Sequence, residues 1–232
     1  METFMARAHA RGANAALVGW NLPYCRTALG DHLAACDWWP SGVLLGRPAS
    51  LLATMRGQWV ASSPLNSRVI QRERHEALLG LALERVADPG LDLVVLHLVP
   101  PHYPFIFDAQ SGRYTFWSVG PRGYLGNLAL ADSTLAVLRR AIRRSGLEGV
   151  TTLVVTADHA WRTAHEFDGG TDSRVPLIVR LAAHAAADTV RTPVSTLRLG
   201  DLVAAALAGD LRDRASLDRW VAANAIASPV AP

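Results

Sequence analysis

Lysine is absent from this sequence of 232 residues, so all 23 of its Lys and Arg positions are arginine. No Schiff-base lysine, lysine nucleophile or P-loop lysine can exist in it. Cysteine is scarce, at 2 residues, Cys25 and Cys36. Their spacing makes no CxxC pair and excludes a standard zinc ribbon; it leaves one disulfide or two separate thiols open. No apolar run approaches the roughly 18 residues that a membrane-spanning helix needs. The longest, Leu91 to Pro101, contains Asp92 and His97. Residues 1–16 lack the apolar stretch of a secretory signal, so the chain read literally stays in the cytoplasm. Charged residues are only 19% and hydrophobic ones 50%, which excludes a disordered chain, a coiled coil and a collagen-like repeat.

What is present is mostly arginine charge, with a formal net charge of +3. Arginine suits bidentate binding of phosphate or sulfate. Arg139, Arg140, Arg143 and Arg144 fall at helical spacing and read as a solvated face. With no aromatic or motif partner for them, nucleic acid is not expected as a partner.

Along the chain, Glu2 to Ala10 reads as a helix and Ala15 to Trp20 as an apolar strand. Asn21 to Pro64 is loop-rich, with a short helix within residues 49–59. Ser67 to Ala87 is a helix whose apolar face is Val69, Leu78, Leu79, Leu81 and Leu83, stopped by Pro89-Gly90. Leu91 to Leu98 is a buried strand. Tyr103 to Gly123 is an aromatic-rich loop, and Tyr124 to Ser145 a second long helix closed by Gly146. Thr151 to Thr156 and Val175 to Leu181 are strands, and Thr196 to Ala208 and Ala215 to Asn224 helices. Wholly apolar strands alternating with long helices predict an α/β fold: a mainly parallel sheet flanked by helices on both faces. Such sheets bind ligands beyond the carboxyl ends of their strands.

Two strand ends carry chemistry. After Thr156 comes Ala157-Asp158-His159, a carboxylate and an imidazole side by side, a pair suited to a divalent metal. After Leu98 comes Pro100-Pro101-His102-Tyr103-Pro104, a histidine held between prolines that fix the backbone. His165, in the loop after Asp158-His159, is a further contact candidate. His97 reads as a core or supporting histidine, and His9, His32, His75 and His184 as surface or structural. Trp38, Trp39, Trp59, Trp117 and Trp161 lie in or beside loops, where they suit either a sugar or lipid pocket or the core.

Taken in order, these segments resemble the sulfatase-like branch of the alkaline phosphatase superfamily, which includes sulfatases, phosphoethanolamine transferases and lipoteichoic-acid-synthase-like enzymes. The resemblance rests on Leu96 to Pro104, Tyr124 to Asp132, Thr152 to His159 and Val175 to Val179. It extends more weakly to Arg11-Gly12 and Ala16 to Gly19. It implies an alkaline-phosphatase-like fold and a metal-dependent hydrolase or transferase acting on phosphate or sulfate esters, with a glycan or lipid as the ester's carrier. Asp158 and His159 would hold one divalent metal ion (Zn, Mn, Ca or Mg). His102 would be the catalytic histidine, bonding the ester oxygens or protonating the leaving alcohol. Arg162 and His165 would bind substrate. Relatives in this branch are often membrane-anchored or exported, so the resemblance leaves the location unassigned.

The sequence also departs from the family pattern. Ala160 stands where a glycine usually follows Asp-His. Trp20-Asn21-Leu22-Pro23 follows Gly19 where sulfatases carry Lys and His, and no Cys-x-Pro-x-Arg motif is present. His159 stands where sulfatases commonly have Asn. Phosphoethanolamine-transferase-like chemistry is therefore favoured over arylsulfatase activity. The family's first strand, with its acidic ligand and its Thr, Ser or modified-Cys nucleophile, would precede Met1. Thr27, Ser41 and Ser62 are loop hydroxyls without motif support. The expectation is one partial domain over residues 1–232. One alternative is a truncated or degenerate member without catalysis, a structural or weak anion- or metal-binding domain; another is an unrelated α/β domain in which these motifs coincide.

Overall fold

A computed structural model of the chain describes residues 3–27, 29–40, 51–52, 55, 64–165, 169–170, 172–182 and 187–226. They form two compact units: Ala13–Arg144, and Met1–Gly12 together with Ser145–Pro232. Among the described residues the fold is mixed α/β.

In the unit Ala13–Arg144 the central strand is β1 (Ala15–Asn21), with β2 (Ala35–Pro40) on one side and β3 (Leu93–His97) on the other, both parallel to it. The first six residues of β1 are buried, which is why they read Ala-Ala-Leu-Val-Gly-Trp without polar alternation. Gly19 pairs with Trp38 on one flank and with His97 on the other. Helix α2 (Pro64–Val86) sets Leu78 against Val18, Trp20 and Val99, with Leu81 beside them. Burying Leu78 completely contributes roughly 1.5–3 kcal/mol. Arg85 of α2 ties down β2 through an ion pair with Asp37 at 2.8 Å.

Helix α3 (Gly120–Arg144) packs Leu130 on Ile106 and Phe107. Phe107 begins a two-stranded hairpin, β4 (Phe107–Asp108) with β5 (Arg113–Tyr114). Its turn is built by Asp108, whose carboxylate accepts from the Gln110 N–H at 3.1 Å and from the Ser111 hydroxyl at 2.7 Å. Those bonds hold the Asp108 carboxyl below the usual carboxylate range. Gly112 closes the turn at φ 66°, a backbone region that glycine enters without a Cβ penalty.

In the other unit, β6 (Leu153–Thr156) pairs with β7 (Leu177–Arg180). The core there is Leu181, Leu202 and Leu211, packed on Val154, Val179 and Trp220. Helix α1 (Phe4–Ala10) is linked to α4 (Leu199–Leu207) by Arg7 and Asp201, 2.8 Å apart. Helix α5 (Arg214–Ala223) starts at a reciprocal cap between Asp213 and Ser216.

Three expectations need correction. The three-stranded sheet is parallel, but β6 and β7 run antiparallel, so parallel pairing does not extend to them. The stretch Asn21 to Pro64 is not all loop, because it contains β2. Its Ala-Cys-Asp-Trp-Trp-Pro has no β-branched residue, carries Asp and ends in proline, so only its two tryptophans favour a strand. Val69 of α2 is 38% exposed, while Arg68, Gln71, Arg74 and His75 are buried. The amino-terminal half of that helix therefore turns a polar face inward. The short helix expected within residues 49–59 lies mostly outside the described residues. Cys25 and Cys36, left open by their spacing, form a disulfide.

Candidate functional site

Strand β6 ends at Thr156, and two residues on comes Asp158. One Asp158 carboxylate oxygen, Oδ1, accepts the His159 backbone N–H at 3.0 Å. The His159 ring bonds the Ala160 carbonyl through Nδ1 at 2.7 Å. A carbonyl only accepts, so Nδ1 carries the proton and Nε2 of the neutral ring keeps its lone pair. That Nε2 lies 3.9 Å from Asp158 Oδ2. Bonds of about 2.0–2.4 Å from each atom would meet at one divalent ion. The carbonyl bond at the far ring nitrogen is the arrangement that orients metal-binding histidines. The two residues thus fit two ligand positions. Among the described residues no group of three or more His, Cys, Asp or Glu is placed to hold an ion.

Arg162 and His165 occupy the turn that follows, and both are exposed. The backbone carbonyl of His165 accepts from Gly169 N–H at 3.0 Å. Further along, Arg174 is engaged by Asp172 at 2.5 Å. Hydrogen bonds from the Arg174 side chain and backbone hold the Asp172 carboxyl down at about 2.

His102 belongs to the other unit, Ala13–Arg144. It follows β3 by five residues, in a segment with cis peptides at Pro100-Pro101 and Tyr103-Pro104. Its Nδ1 bonds the Tyr103 carbonyl, and the residue is exposed. The backbone beneath is held by two buried amides. Asn127 of α3 donates to the carbonyl of His102 at 3.0 Å and of Pro101 at 3.4 Å, while its own oxygen accepts Ile106 N–H at 2.9 Å. Gln71 of α2 donates to the carbonyls of Tyr103 and His102 at 3.4 and 3.5 Å.

A second group of polar side chains lies at the carboxyl ends of β1 and β3. The Tyr24 hydroxyl lies 2.6 Å from His97 Nδ1. Trp20 meets the His102 ring edge-on, with centroids 5.1 Å apart. The Arg74 guanidinium lies over the Trp20 ring at 5.3 Å and donates to Gln71 Oε1 at 3.0 Å. Burial lowers the Arg74 pKa from its ordinary value.

His75, read from sequence as surface or structural, is buried between α2, α3 and β5. Its Nε2 lies 2.9 Å from Thr134 Oγ1, and its Nδ1 lies 2.9 Å from the Tyr114 hydroxyl. Thr134 spends its proton on the Leu130 carbonyl at 2.7 Å, so it accepts from His75 Nε2–H. A neutral ring then accepts the Tyr114 hydroxyl at Nδ1. Burial pulls the His75 pKa below its ordinary value, and the Glu76 charge opposes this. Burial and Glu76 push the Tyr114 phenol up, against Arg72.

Tyr24, Arg74, Gln71 and Asn127 were not singled out by the sequence reading. Arg68, Gln71, Arg74 and His75 recur at spacings of three and four along one helix face, but a polar stripe of that kind reads as a solvated face. Of the tryptophans, Trp39 packs on the β1 core, Trp38 lies under Arg26 at 5.1 Å, and Trp117 is exposed. Trp59, Ser41, Ser62 and His184 lie outside the described residues. Arg139, Arg140, Arg143 and Arg144 are exposed at the end of α3. No protein-family model matches the chain, and no curated protein matches it.

Proposed function

We propose that the chain is a sulfatase-like, metal-dependent hydrolase or transferase acting on phosphate or sulfate esters, with phosphoryl transfer favoured over arylsulfatase chemistry. One observation carries this reading: His159 Nε2 and Asp158 Oδ2 lie 3.9 Å apart directly after β6, with His159 Nδ1 already committed to a carbonyl. A bound divalent ion would polarise the ester oxygen and lower the pKa of an attacking hydroxyl. His159 contributes a fixed tautomer and Asp158 a negative charge. In the unit Ala13–Arg144, His102 is exposed on a backbone pinned by Asn127 and Gln71, and by the resemblance it would be the histidine that protonates a leaving alcohol. Arg162 and His165 contribute exposed donors for ester oxygens.

The test is calorimetric titration of Zn²⁺ and Mn²⁺ into the chelator-treated protein, beside turnover of 4-nitrophenyl phosphate, bis(4-nitrophenyl) phosphate and 4-nitrophenyl sulfate. Asp158→Ala and His159→Ala should each weaken metal binding by roughly 100-fold, a loss of about 2.7 kcal/mol. Equal metal affinity in both variants would sink the ligand assignment. Metal binding without turnover of any ester would instead support a family member that binds but does not catalyse.

A further inference from the structure

Helix α2 buries a guanidinium that meets no carboxylate among the described residues. Arg74 is only 7% exposed. Its contacts are the Gln71 side-chain oxygen at 3.0 Å and the face of Trp20 at 5.3 Å. Among the described residues its Nε has no hydrogen-bond acceptor. The two nearby acids on the same helix, Glu73 and Glu76, are exposed, and Glu76 is taken by Arg72 at 2.9 Å. Trp20 is 8% exposed, and its indole Nε1, a donor only, likewise has no acceptor among the described residues. Two N–H donors are therefore left unpaired on two side chains stacked on each other.

Protein interiors rarely leave this arrangement. A buried charge is normally paired, and a buried donor normally bonded. What both donors lack is the same thing: an acceptor, and for Arg74 one bearing negative charge. Their position also matters. Trp20 is the penultimate residue of β1, at the carboxyl end of a parallel sheet, where such folds place their ligands. His102, an exposed residue, stands edge-on to Trp20 at 5.1 Å, so the buried pair is one residue away from the surface.

We propose that Arg74 and Trp20 form a binding site for a tetrahedral oxyanion, a phosphate or sulfate group, with Arg74 supplying the charge, Nε and Nε1 the hydrogen bonds, and His102 the rim. The site is contained in the unit Ala13–Arg144 and does not depend on Asp158 and His159 as metal ligands.

The experiment is a thermal-shift and calorimetric titration of the full chain in the presence of a chelator. Inorganic phosphate, inorganic sulfate and methyl phosphate are compared with sodium chloride at matched ionic strength. Because metal is removed throughout, failure here is distinct from failure of the metal centre. The expected result is stabilisation by the oxyanions beyond that by chloride. Tighter binding of methyl phosphate assigns the site to an ester substrate, and tighter binding of inorganic phosphate to a free anion. Arg74→Met should abolish the oxyanion-specific shift while leaving the melting temperature without anion equal or higher, since it removes an uncompensated buried charge. Trp20→Phe keeps the ring and should weaken the anion by about tenfold or more, the cost of one hydrogen bond to a charged acceptor. The proposal fails if the wild-type protein responds to phosphate and sulfate only as it does to chloride. It fails equally if Arg74→Met retains the full shift, because ordered water would then satisfy both donors.

Discussion

Tyr24 lies across the end of β1 to reach His97 on β3, its hydroxyl 2.6 Å from the imidazole Nδ1. Gly19 makes the crossing possible. A Cβ there would come within 2.7 and 2.8 Å of two Tyr24 ring carbons. Gly19 is therefore retained in mid-strand, despite the entropic cost of glycine, because the ring needs the space.

Replacing Gly19 should show this directly. Gly19→Ala is expected to destabilise the protein by about 1–3 kcal/mol, the usual cost of overpacking. In a Tyr24→Ala background the same change should cost far less, because the ring is gone. Urea unfolding of the four proteins of this cycle gives the coupling. Additive effects would show that the ring does not rest on Gly19.

The His75 network makes a prediction about pH. Burial holds the folded-state pKa of His75 below its unfolded value, which is near 6.5. As pH falls through about 6.5, the unfolded chain takes up this proton before the folded one does. The contribution of His75 to stability is thus present above that pH and is lost as pH falls toward the folded pKa. Urea unfolding between pH 7.5 and 5 should show the decline in the wild type and a shallower one in His75→Phe. Thr134→Val removes the acceptor of His75 Nε2–H and should cost about 1–2 kcal/mol at pH 7.5. An unchanged pH slope in His75→Phe would mean that another group carries it.

The disulfide between Cys25 and Cys36 anchors the turn that carries Tyr24 to the edge strand β2. The two cysteines are 11 positions apart, and a closed loop of that size is worth about 3 kcal/mol by restricting the unfolded chain. Reduction, or Cys25→Ser with Cys36→Ser, should lower stability by about that amount in urea unfolding. Hydrogen exchange should rise first in the turn Tyr24–Arg26.

How much of this was legible depends on which physical signal each element carries. The apolar runs of β1, β3 and β6 announce strands, and the structure has them within two residues of the expected bounds, but only β1 is buried; β3 and β6 are half-buried. Strand direction is another matter. The run Val-Pro-Leu-Ile-Val-Arg announces β7, but nothing local says that it pairs antiparallel to β6 or that Leu177 and Ile178 stay exposed. Asp158 and His159 stood out because adjacent ligand types after a strand are unusual. Arg74 and Gln71 did not, because on a helix long polar residues ordinarily face water. Only three-dimensional packing reveals that this stripe is buried; of the expected apolar face, Leu78 and Leu81 do meet the core, while Val69 is exposed. Tyr24 was hidden for a different reason: its partner is 73 positions away.

The segment carrying His102 depends on Asn127, and the chemistry of that amide can be tested with one atom changed. Asn127 is fully buried; its oxygen accepts the Ile106 N–H, and its nitrogen donates to the carbonyls of Pro101 and His102. Asn127→Ala strands the Ile106 N–H and the Pro101 carbonyl, leaves the His102 carbonyl to Gln71 alone, and should cost about 2–4 kcal/mol. Asn127→Asp keeps the acceptor for Ile106 but turns a carboxylate oxygen toward two carbonyl oxygens. Ionised, that group is both buried and repelled, so at pH 7.5 this variant should be at least as unstable as the alanine one. Its folded-state pKa must then lie above the unfolded aspartate value near 3.9. The folded state therefore binds the extra proton more readily, and stability of Asn127→Asp relative to Asn127→Ala should recover as pH falls from 7.5 to 5. A protonated carboxyl can again donate to the His102 carbonyl, as the amide does. Urea unfolding of both variants across that range decides it: a constant difference would mean that the amide nitrogen does not hold the loop.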